Sequence, residues 1–412
     1  MVSSWQTHLD RVIDARAAEL VAVRRHLHAH PEVSGEEYET SRYLCQQLQD
    51  QGFEPQLGPG GRGLIVDNSV GNVEKIALRA DIDALAIQDT KEVAYRSHRD
   101  GVMHACGHDV HSTILLGAIS ALKDLQAADQ LPWLTPVRGI FQPSEETATG
   151  AVEMIAVGAL EGVQAIVGLH VDPTLTVGTV GLRSGICTAH CDELEIVVTG
   201  RGGHAARPHD TADPIAAAAQ LINSIYWTVP RAIDSQDAVV VSFGQITGGM
   251  NSNVIPDQVQ LQGTLRTLSD EVRCRGKEKI LQICRGIAES AGVCIEAEFQ
   301  DGVDSVINDV LITDLLRSAA IDFLGPAQVQ AIPRPSMGSE DFSVYLKQVP
   351  GAMLRLGSTA SGEIGVPLHS ASFDIDEEAI AMGIKIIARS AVILSKPRPA
   401  SGQTSKTVGV AQ

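Results

Sequence analysis

The run Lys75-Ile-Ala-Leu-Arg-Ala80 is a short, mostly apolar segment that is followed directly by Asp81-Ile-Asp83. Such a run is typical of a buried strand. Residues 137–141 and 165–169 are apolar runs of the same kind, and a helical pattern over residues 111–125 separates the first two runs. Because strands alternate with helices, the sequence predicts an α/β fold built on a mostly parallel, helix-covered sheet.

Helical patterns also lie near both ends of the chain. Apolar residues recur at helical intervals over residues 5–28, and a second helix is predicted over residues 37–51, ending at Gly52. Further helices are predicted over residues 311–324, 340–346 and 376–394. The segments before and after the central region therefore share the same kind of helical pattern.

The pattern of predicted strands and helices changes after Arg183. Strands are predicted over residues 194–199, 239–243, 259–265 and 293–299, and helices over residues 213–225 and 270–291. Four strands and two helices in this order suggest a split βαβ unit. We therefore predict an inserted α+β domain over residues 184–300, within a discontinuous larger domain of residues 1–183 and 301–396. Residues 397–412 are predicted to be a disordered tail.

Composition excludes some classes of partner. The chain has 412 residues and a net charge of −18, so we expect it to bind neither nucleic acid nor an anionic membrane. Its seven cysteines lack the regular spacing of a disulfide framework. Neither a signal peptide nor a membrane-spanning segment is recognised. We expect a soluble protein of the reducing cytoplasm.

Metal-capable side chains are concentrated in Met103-His-Ala-Cys-Gly-His-Asp-Val-His-Ser112. A thiolate and an imidazole, Cys106 and His108, are suitable ligands for a borderline metal. Residues two apart face different ways on a helix, so we place both on the loop before the predicted helix. Asp109 or Ser112 would cap that helix. His111 is expected to support a ligand or to face the substrate.

Other candidate ligands follow the predicted strands. Glu145 and Glu146 come after the second apolar run, and His170 comes after the third, while His369 precedes the final helix. One glutamate can ligate a metal while the other accepts a proton from water. Taken singly, His170 could be a core histidine, Cys106 a buried thiol and His369 an ordinary loop histidine. Together they indicate a hydrolytic metal centre.

These motifs resemble those of the metallopeptidase family that includes aminoacylases and carboxypeptidase G2. The resemblance is strongest to its amidohydrolase branch of hippurate hydrolases, N-acetyl-diaminopimelate deacetylases and indole-acetyl-amino-acid hydrolases. The motifs occur in order at residues 25–32, 79–83, 104–109, 142–146, 168–170, 202–209, 253–256, 338–342 and 368–369. They cover nearly the whole chain apart from the tail.

The resemblance implies a zinc-peptidase-like catalytic domain with two divalent metal ions. Zinc and manganese are the first candidates for these ions, followed by cobalt and nickel. The implied ligands are Cys106, His108, Glu146, His170 and His369. Glu145 matches the general base, and Asp83 matches the aspartate that orients a ligand. Asp81 stands where peptidase relatives have a histidine ligand, which leaves the coordination of one metal open.

The resemblance also implies that the inserted domain mediates dimerisation, giving a homodimer or a tetramer. His204 would then reach the active site of the partner subunit and stabilise the developing oxyanion. Asn253 and Arg266 match positions that contact substrate oxygens. The alternative for His204 is an ordinary loop histidine.

The expected function is hydrolysis of the amide bond of an N-acyl amino acid, with an acetyl, benzoyl or auxin-type acyl group. Metal-activated water would attack, and Glu145 would act as the base. The alternatives are a dipeptidase or carboxypeptidase that uses the same site, and a non-catalytic metal-dependent binding protein. The intact Glu145-Glu146 pair favours an enzyme.

Overall fold

The computed structural model describes residues 4–69, 71 and 73–397, so the predicted tail lies outside the described residues from position 398 on. Ten α-helices occur in the described part: α1 Trp5–Ala15, α2 Ala17–Ala29, α3 Tyr38–Asp50, α4 His108–Ala127, α5 Gly150–Ala156, α6 Pro214–Ala232, α7 Asp270–Ala291, α8 Val310–Leu324, α9 Phe342–Leu346 and α10 Glu378–Leu394.

Sixteen strands are found over the same described residues. They are β1 Gln56–Leu57, β2 Leu64–Asp67, β3 Lys75–Asp81, β4 Val137–Gln142, β5 Val163–Thr176, β6 Val180–Leu182, β7 Gly185–Ile186, β8 His190–Thr199, β9 Gly203–His204, β10 Val239–Gly248, β11 Val254–Ile255, β12 Gln258–Thr267, β13 Cys294–Val303, β14 Ile307–Asn308, β15 Val329–Ala331 and β16 Gly351–Thr359.

The central sheet has eight strands in the order β1-β2-β4-β3-β5-β16-β6-β15. Its middle is parallel, since β3 pairs with β4 and β5 in the parallel sense and β5 pairs likewise with β16. Antiparallel pairing is confined to β1 with β2, β2 with β4, and β6 with β16. The predicted α/β class with a mostly parallel sheet is confirmed.

Helices cover both faces of this sheet. Successive residues of β3 belong to different cores: Ile76 and Leu78 pack in the cluster that contains residues of α4 and α10, whereas Ala77 packs with residues of α5 and α9. A strand that is buried on both faces needs apolar residues at consecutive positions. This requirement explains the unbroken apolar run from which β3 was predicted.

A second, antiparallel sheet has the order β10-β12-β8-β13. Residues of α6 and α7 pack on one of its faces and form a core with every second residue of β8, namely Leu194, Ile196 and Val198. The elements follow the chain as β8-α6-β10-β12-α7-β13. This order matches the split βαβ arrangement that was predicted for this region.

Several elements are longer than predicted, and three differences concern the helices and strands of the larger domain. The helix predicted over residues 5–28 is divided at Arg16, where φ is −105° and ψ is 3°. Helix α1 packs against both α10 and α4, whereas α2 packs mainly against α4. β5 continues beyond the predicted end at residue 169 as far as Thr176, so His170 lies within a strand rather than at its end. Helix α4 starts three residues earlier than predicted, at His108.

None of the helices in the described residues combines the length and the hydrophobicity that a membrane span requires.

Candidate metal centre

A cleft of about 500 Å³ opens beside the carboxyl ends of the central parallel strands. Most of the sequence-predicted residues line it. They are Cys106, Glu145, Glu146, His170, Arg266 and His369. Residues from distant parts of the chain therefore meet at one place, as expected for a site assembled by parallel strands.

Gly107 sets the positions of Cys106 and His108. It is the N-cap of α4 and has a φ of 84°, and a Cβ atom there would lie 2.5 Å from Val171 Cγ2. His108 is thus the first residue of the helix, and the prediction that placed it on the preceding loop was wrong. The predicted capping by Asp109 or Ser112 was also wrong, because no side chain caps this helix. Cys106 Sγ lies 3.4 Å from His170 Nε2.

Asp83 orients two of the proposed ligands. His108 Nδ1 lies 2.9 Å from the Asp83 carbonyl oxygen and 3.1 Å from Asp83 Oδ1. The other carboxylate oxygen, Oδ2, accepts hydrogen bonds from the Glu146 amide and the Ser34 hydroxyl. Burial opposes the charge on Asp83, but these hydrogen bonds hold its pKa below the usual value. Such contacts direct His108 Nε2 away from Asp83.

Glu146 and His369 face the same point. Glu146 Oε1 lies 3.5 Å from His369 Nε2 and 3.9 Å from His108 Nε2. His369 has a positive φ of 61°, and its backbone amide donates to the Ala105 carbonyl oxygen at 2.8 Å. A non-glycine residue in this conformation carries strain that is common at functional sites. The contact to Ala105 fixes the His369 loop beside the Cys106 segment.

The donor set is suited to a transition metal. In the part of the chain that the structure describes, five groups of side chains have ligand atoms that all lie within 4.8 Å of one another. Three of them consist only of proposed ligands and Glu145: Cys106, His108 and His170; Cys106, Glu146 and His369; and His108, Glu145 and Glu146. The other two are Asp81, His108 and His111, and Glu145, Glu340 and Asp341. Among the described residues, His108 Nε2 and Glu146 Oε1 are buried without a hydrogen-bond partner. Buried polar atoms are rarely left unsatisfied, so the residues present fit a bound cation.

The electrostatics of these side chains agree with that fit. Although burial opposes it, Asp81 and Cys106 raise the pKa of His108 well above its usual value, so the neighbourhood favours positive charge. Burial raises the pKa of the Cys106 thiol. A nearby divalent cation would lower the pKa of that thiol and stabilise the thiolate that a metal binds.

Asp81 and His111 form a hydrogen-bonded pair beside the proposed metal ligands. Asp81 Oδ1 accepts from His111 Nδ1 at 2.6 Å, and Asp81 Oδ2 accepts from Arg79 at 2.7 Å. His111 Nε2 accepts from the Val171 amide at 3.0 Å. Both carboxylate oxygens and both ring nitrogens are thus used within the protein. This pair therefore joins α4 and β5 to the end of β3.

Glu145 is partly exposed to the cleft. Burial raises the pKa of this carboxyl well above its usual value, and the negative charges of Glu340 and Asp341 add to the effect. A carboxyl group whose proton affinity is raised can both accept and return a proton near neutral pH.

The structure also adds residues to which the sequence analysis gave no role. Arg79 Nη2 contacts Asp341 Oδ1 at 2.8 Å and Glu340 Oε1 at 3.0 Å, and Gln142 donates to both Asp341 oxygens. Arg355, on β16, lines the cleft. The sequence did contain a signal for two of these residues. Arg79 and Arg355 are each a charged residue within an otherwise apolar strand.

His204 and Asn253 lie apart from the other predicted residues. They are neighbours, because β9 pairs with β11 and the Ala205 amide donates to the Asn253 carbonyl oxygen at 3.1 Å. Both are exposed, and neither is among the described residues that line the cleft. Arg266, by contrast, lies in the cleft and donates to the Met337 carbonyl oxygen at 3.0 Å.

The chain is similar in sequence and in structure to known proteins. The model of peptidase family M20/M25/M40 matches residues 77–392. The chain is 40% identical over 375 residues to "Probable hydrolase sll0100" of Synechocystis, with 90% of this chain and 94% of that protein covered. It is 38% identical over 376 residues to the N-acetyl-L-cysteine deacetylase of Bacillus subtilis, with 90% and 87% covered. It is also similar to the crystal structure of Bacillus subtilis YxeP, a dinuclear metal-binding peptidase of the M20 family. The TM-score is 0.77 and the identity 34%, with 92% of this chain and 99% of that one covered.

Proposed function

Because this chain belongs to peptidase family M20/M25/M40 and is a hydrolase that acts on amides, we propose that it hydrolyses N-acyl amino acids. The products would be a carboxylic acid and a free amino acid. The deacetylase relative acts on an N-acetyl amino acid, which supports this substrate class.

The observation that carries the proposal is the different surroundings of two adjacent glutamates. Glu146 presents an unsatisfied oxygen towards His108 and His369. Glu145 lines the cleft with its proton affinity raised by burial and by Glu340. Hydrolysis of an amide needs both a cation site and a separate base, since a carboxylate fully engaged by metal cannot accept a proton.

Two divalent metal ions would be held by Cys106, His108, Glu146, His170 and His369, and zinc or manganese are the first candidates. Cobalt and nickel are further candidates, since the mixed N, S and O donors do not select one metal. When bound, such ions acidify water and polarise a carbonyl oxygen. The YxeP structure, described as dinuclear, supports the number of ions.

The protein's own residues would then perform the proton transfers and hold the substrate. Glu145 accepts the proton from the attacking water and delivers it to the nitrogen of the leaving amine. Asp83 keeps His108 and Glu146 in place through the hydrogen bonds described above. Arg266, in the cleft, would bind the α-carboxylate of the amino acid through its guanidinium group.

We propose that residues 184–300 form the dimerisation domain. Several large apolar side chains of this segment are exposed, as an interface requires. They are Ile215, Tyr226, Trp227, Val240, Ile246, Met250 and Val254. β10, which carries two of them, is an edge strand of its sheet and is available for pairing.

His204 and Asn253 would act across this interface. Both are exposed and lie next to Val254, one of the exposed apolar residues. In a dimer, His204 would donate a hydrogen bond to the developing oxyanion in the partner subunit's cleft, and Asn253 would contact a substrate oxygen. A homodimer, or a tetramer built from it, is the expected assembly. A cytoplasmic location is proposed because Cys106 must stay reduced to bind metal.

A panel of substrates tests the proposed function. N-acetyl, N-benzoyl and indole-acetyl derivatives of several amino acids would be assayed together with dipeptides, using protein loaded with zinc, manganese, cobalt or nickel. We expect hydrolysis of acyl amino acids that is abolished by a chelator and restored by one of the metals. Cleavage of dipeptides alone would instead identify a dipeptidase or carboxypeptidase. No hydrolysis with any metal would contradict the proposal and favour a binding protein.

A further inference from the structure

A second pocket of about 400 Å³ adjoins the metal cleft. The two cavities share four lining residues: Thr188, Ser336, Arg355 and Leu368. The two cavities are therefore neighbours, and a group attached to an amide in the cleft would lie next to this pocket. Its volume is in the range of small-molecule sites.

The walls of the pocket are mainly apolar. Val171, Cys187, Val306, Ile332 and Met353 contribute apolar surface to it. Such a lining favours the carbon chain of a ligand and leaves recognition of polar ends to a few side chains.

Three arginines and one aspartate line the same pocket: Arg183, Arg334, Arg355 and Asp172. Arg183 donates through Nε and Nη1 to the carbonyl oxygens of Ile186, Ile332 and Pro333, so two of its three guanidinium nitrogens are engaged by the backbone. Arg334 is exposed. Asp172 Oδ1 accepts from the backbone amide and hydroxyl of Thr174.

Arg355 differs from these residues. It is partly buried, and among the described residues its side chain has neither a hydrogen-bond partner nor a carboxylate within 4.0 Å. Its Cα pairs with that of His170 across the parallel strands β16 and β5, so both side chains stand on the same face of the sheet. An unpaired guanidinium thus lies at the junction of the pocket and the cleft.

The donors of such a group are available to a ligand. A partly buried guanidinium group has five donors in a planar fork that matches a carboxylate. In a protein with a net charge of −18, an arginine left without a carboxylate partner is unexpected. In the proposed function the α-carboxylate of the substrate is bound by Arg266, which also lines the cleft.

We propose that the preferred acyl group of this enzyme carries a second carboxylate, which Arg355 binds while the carbon chain occupies the adjoining pocket. This inference rests on the proposed function and names the acyl class within it. The substrate class is then the N-monoacyl derivatives of dicarboxylic acids, such as N-succinyl or N-glutaryl amino acids.

A matched pair of substrates tests the inference. N-succinyl and N-succinamoyl derivatives of one amino acid differ only in a terminal carboxylate against an amide. We expect kcat/KM of the natural enzyme to favour the N-succinyl substrate by about 10- to 100-fold, as for a charge-assisted hydrogen-bonded contact. Arg355→Met should abolish that preference, so that kcat/KM for the N-succinyl substrate falls to the value for the N-succinamoyl substrate. Arg355→Lys should retain part of the preference.

The control variant is Arg42→Met, which removes an exposed arginine on α3 and should leave the preference unchanged. Hydrolysis of N-acetyl amino acids without any preference for N-succinyl would overturn the inference while the proposed function stands. An equal loss on all three substrates in Arg355→Met would also overturn it, since Arg355 would then serve the α-carboxylate or the fold.

Calorimetric titration with succinate and with succinamate supplies a readout that does not depend on turnover. Binding of succinate by the natural protein and its loss in Arg355→Met would support the carboxylate site, even if no acyl amino acid were hydrolysed. Equal binding of succinate and succinamate, or the absence of succinate binding, would contradict it.

Discussion

Glu145 and Glu146 are neighbours in the chain but have different surroundings. The Glu146 amide donates to Asp83, and its carboxylate lies beside His108 and His369. The pKa of the Glu145 carboxyl is raised by burial and by the negative charges of Glu340 and Asp341, which lie on a different loop. At the scale of residues, the site therefore separates the proposed ligand from the proposed base by one peptide bond.

Replacing Glu145 tests that separation. Glu145→Gln keeps the shape of the side chain but removes its ability to accept a proton. We expect turnover to fall by about 10²- to 10⁴-fold while the bound metal and substrate affinity are retained. Metal content and kcat measured on the same preparation would check this expectation. Glu363→Gln, an exposed glutamate, is the control, and near-normal turnover in Glu145→Gln would reject the base assignment.

At the scale of elements, the start of α4 positions two proposed ligands. Cys106 and His108 flank Gly107, whose positive φ turns the chain into the helix and whose missing side chain leaves room for Val171. A residue with a side chain would meet both a backbone penalty and an overlap. This small element therefore links helix geometry to the metal centre.

We expect Gly107→Ala to lower metal affinity and to destabilise the fold by about 1–3 kcal/mol. The measurements are metal content after dialysis and the free energy of unfolding. Gly101→Ala is a matched control, because Gly101 also has a positive φ but a Cβ there would meet no atom within 4 Å. If both variants lost metal equally, backbone strain alone would explain the effect and the overlap with Val171 would be unimportant.

An ion cluster connects β8 to α7 in the second sheet. Asp192 is buried and lies 2.6 Å from Arg273 and 2.8 Å from Lys277. Burial opposes its charge, but the hydrogen bonds from Arg273 and Lys277 lower its pKa. A carboxyl whose folded-state pKa is depressed stabilises the fold above its unfolded pKa, and that contribution is lost as the pH falls through the folded value.

Asp192→Asn should therefore lower the free energy of unfolding by about 3 kcal/mol at pH 7. The difference from the natural protein should begin to shrink as the pH falls below about 4, where the Asp192 carboxyl of the unfolded chain takes up a proton while the folded one is still charged. Urea unfolding at pH 7 and pH 3 would check this dependence. Asp237→Asn, which changes an exposed aspartate, should show no such pH-dependent difference.

At the scale of the whole molecule, one proposed catalytic residue lies outside its own cleft. His204 is exposed near Asn253, whereas Glu145 lines the cleft. If His204 acts in the partner subunit, two inactive variants should complement each other. A mixed dimer of Glu145→Gln and His204→Ala would have one site with both an intact base and an intact histidine.

After subunit exchange, we expect an equal mixture of these variants to recover about a quarter of the natural activity, because half of the dimers are mixed and each has one intact site. The assay is turnover before and after exchange, with each variant alone as the baseline. The double variant mixed with Glu145→Gln is the control and should stay inactive. Absence of recovery in a sample shown to contain mixed dimers would exclude the action of His204 across the interface.

Much of this protein could be predicted from local patterns. A short window of sequence is enough to show the apolar run of β3, the helical spacing of α7 and the change in predicted elements after Arg183. The motifs at Cys106, Glu145 and His369 indicated a hydrolytic metal centre because several metal-capable residue types recur next to predicted strands and loops. Periodicity and residue chemistry are local properties, so the sequence alone determined the fold class and the kind of site.

The tertiary structure decided which atoms meet. That Asp81 and His111 use their polar atoms on each other and on the backbone depends on how α4 and β5 pack against β3. That Arg355 stands without a carboxylate partner at the edge of a second pocket depends on residues that are far away in the chain. Pairing and burial are properties of three-dimensional neighbours, and the free energy of a buried charge depends on those neighbours rather than on residue type.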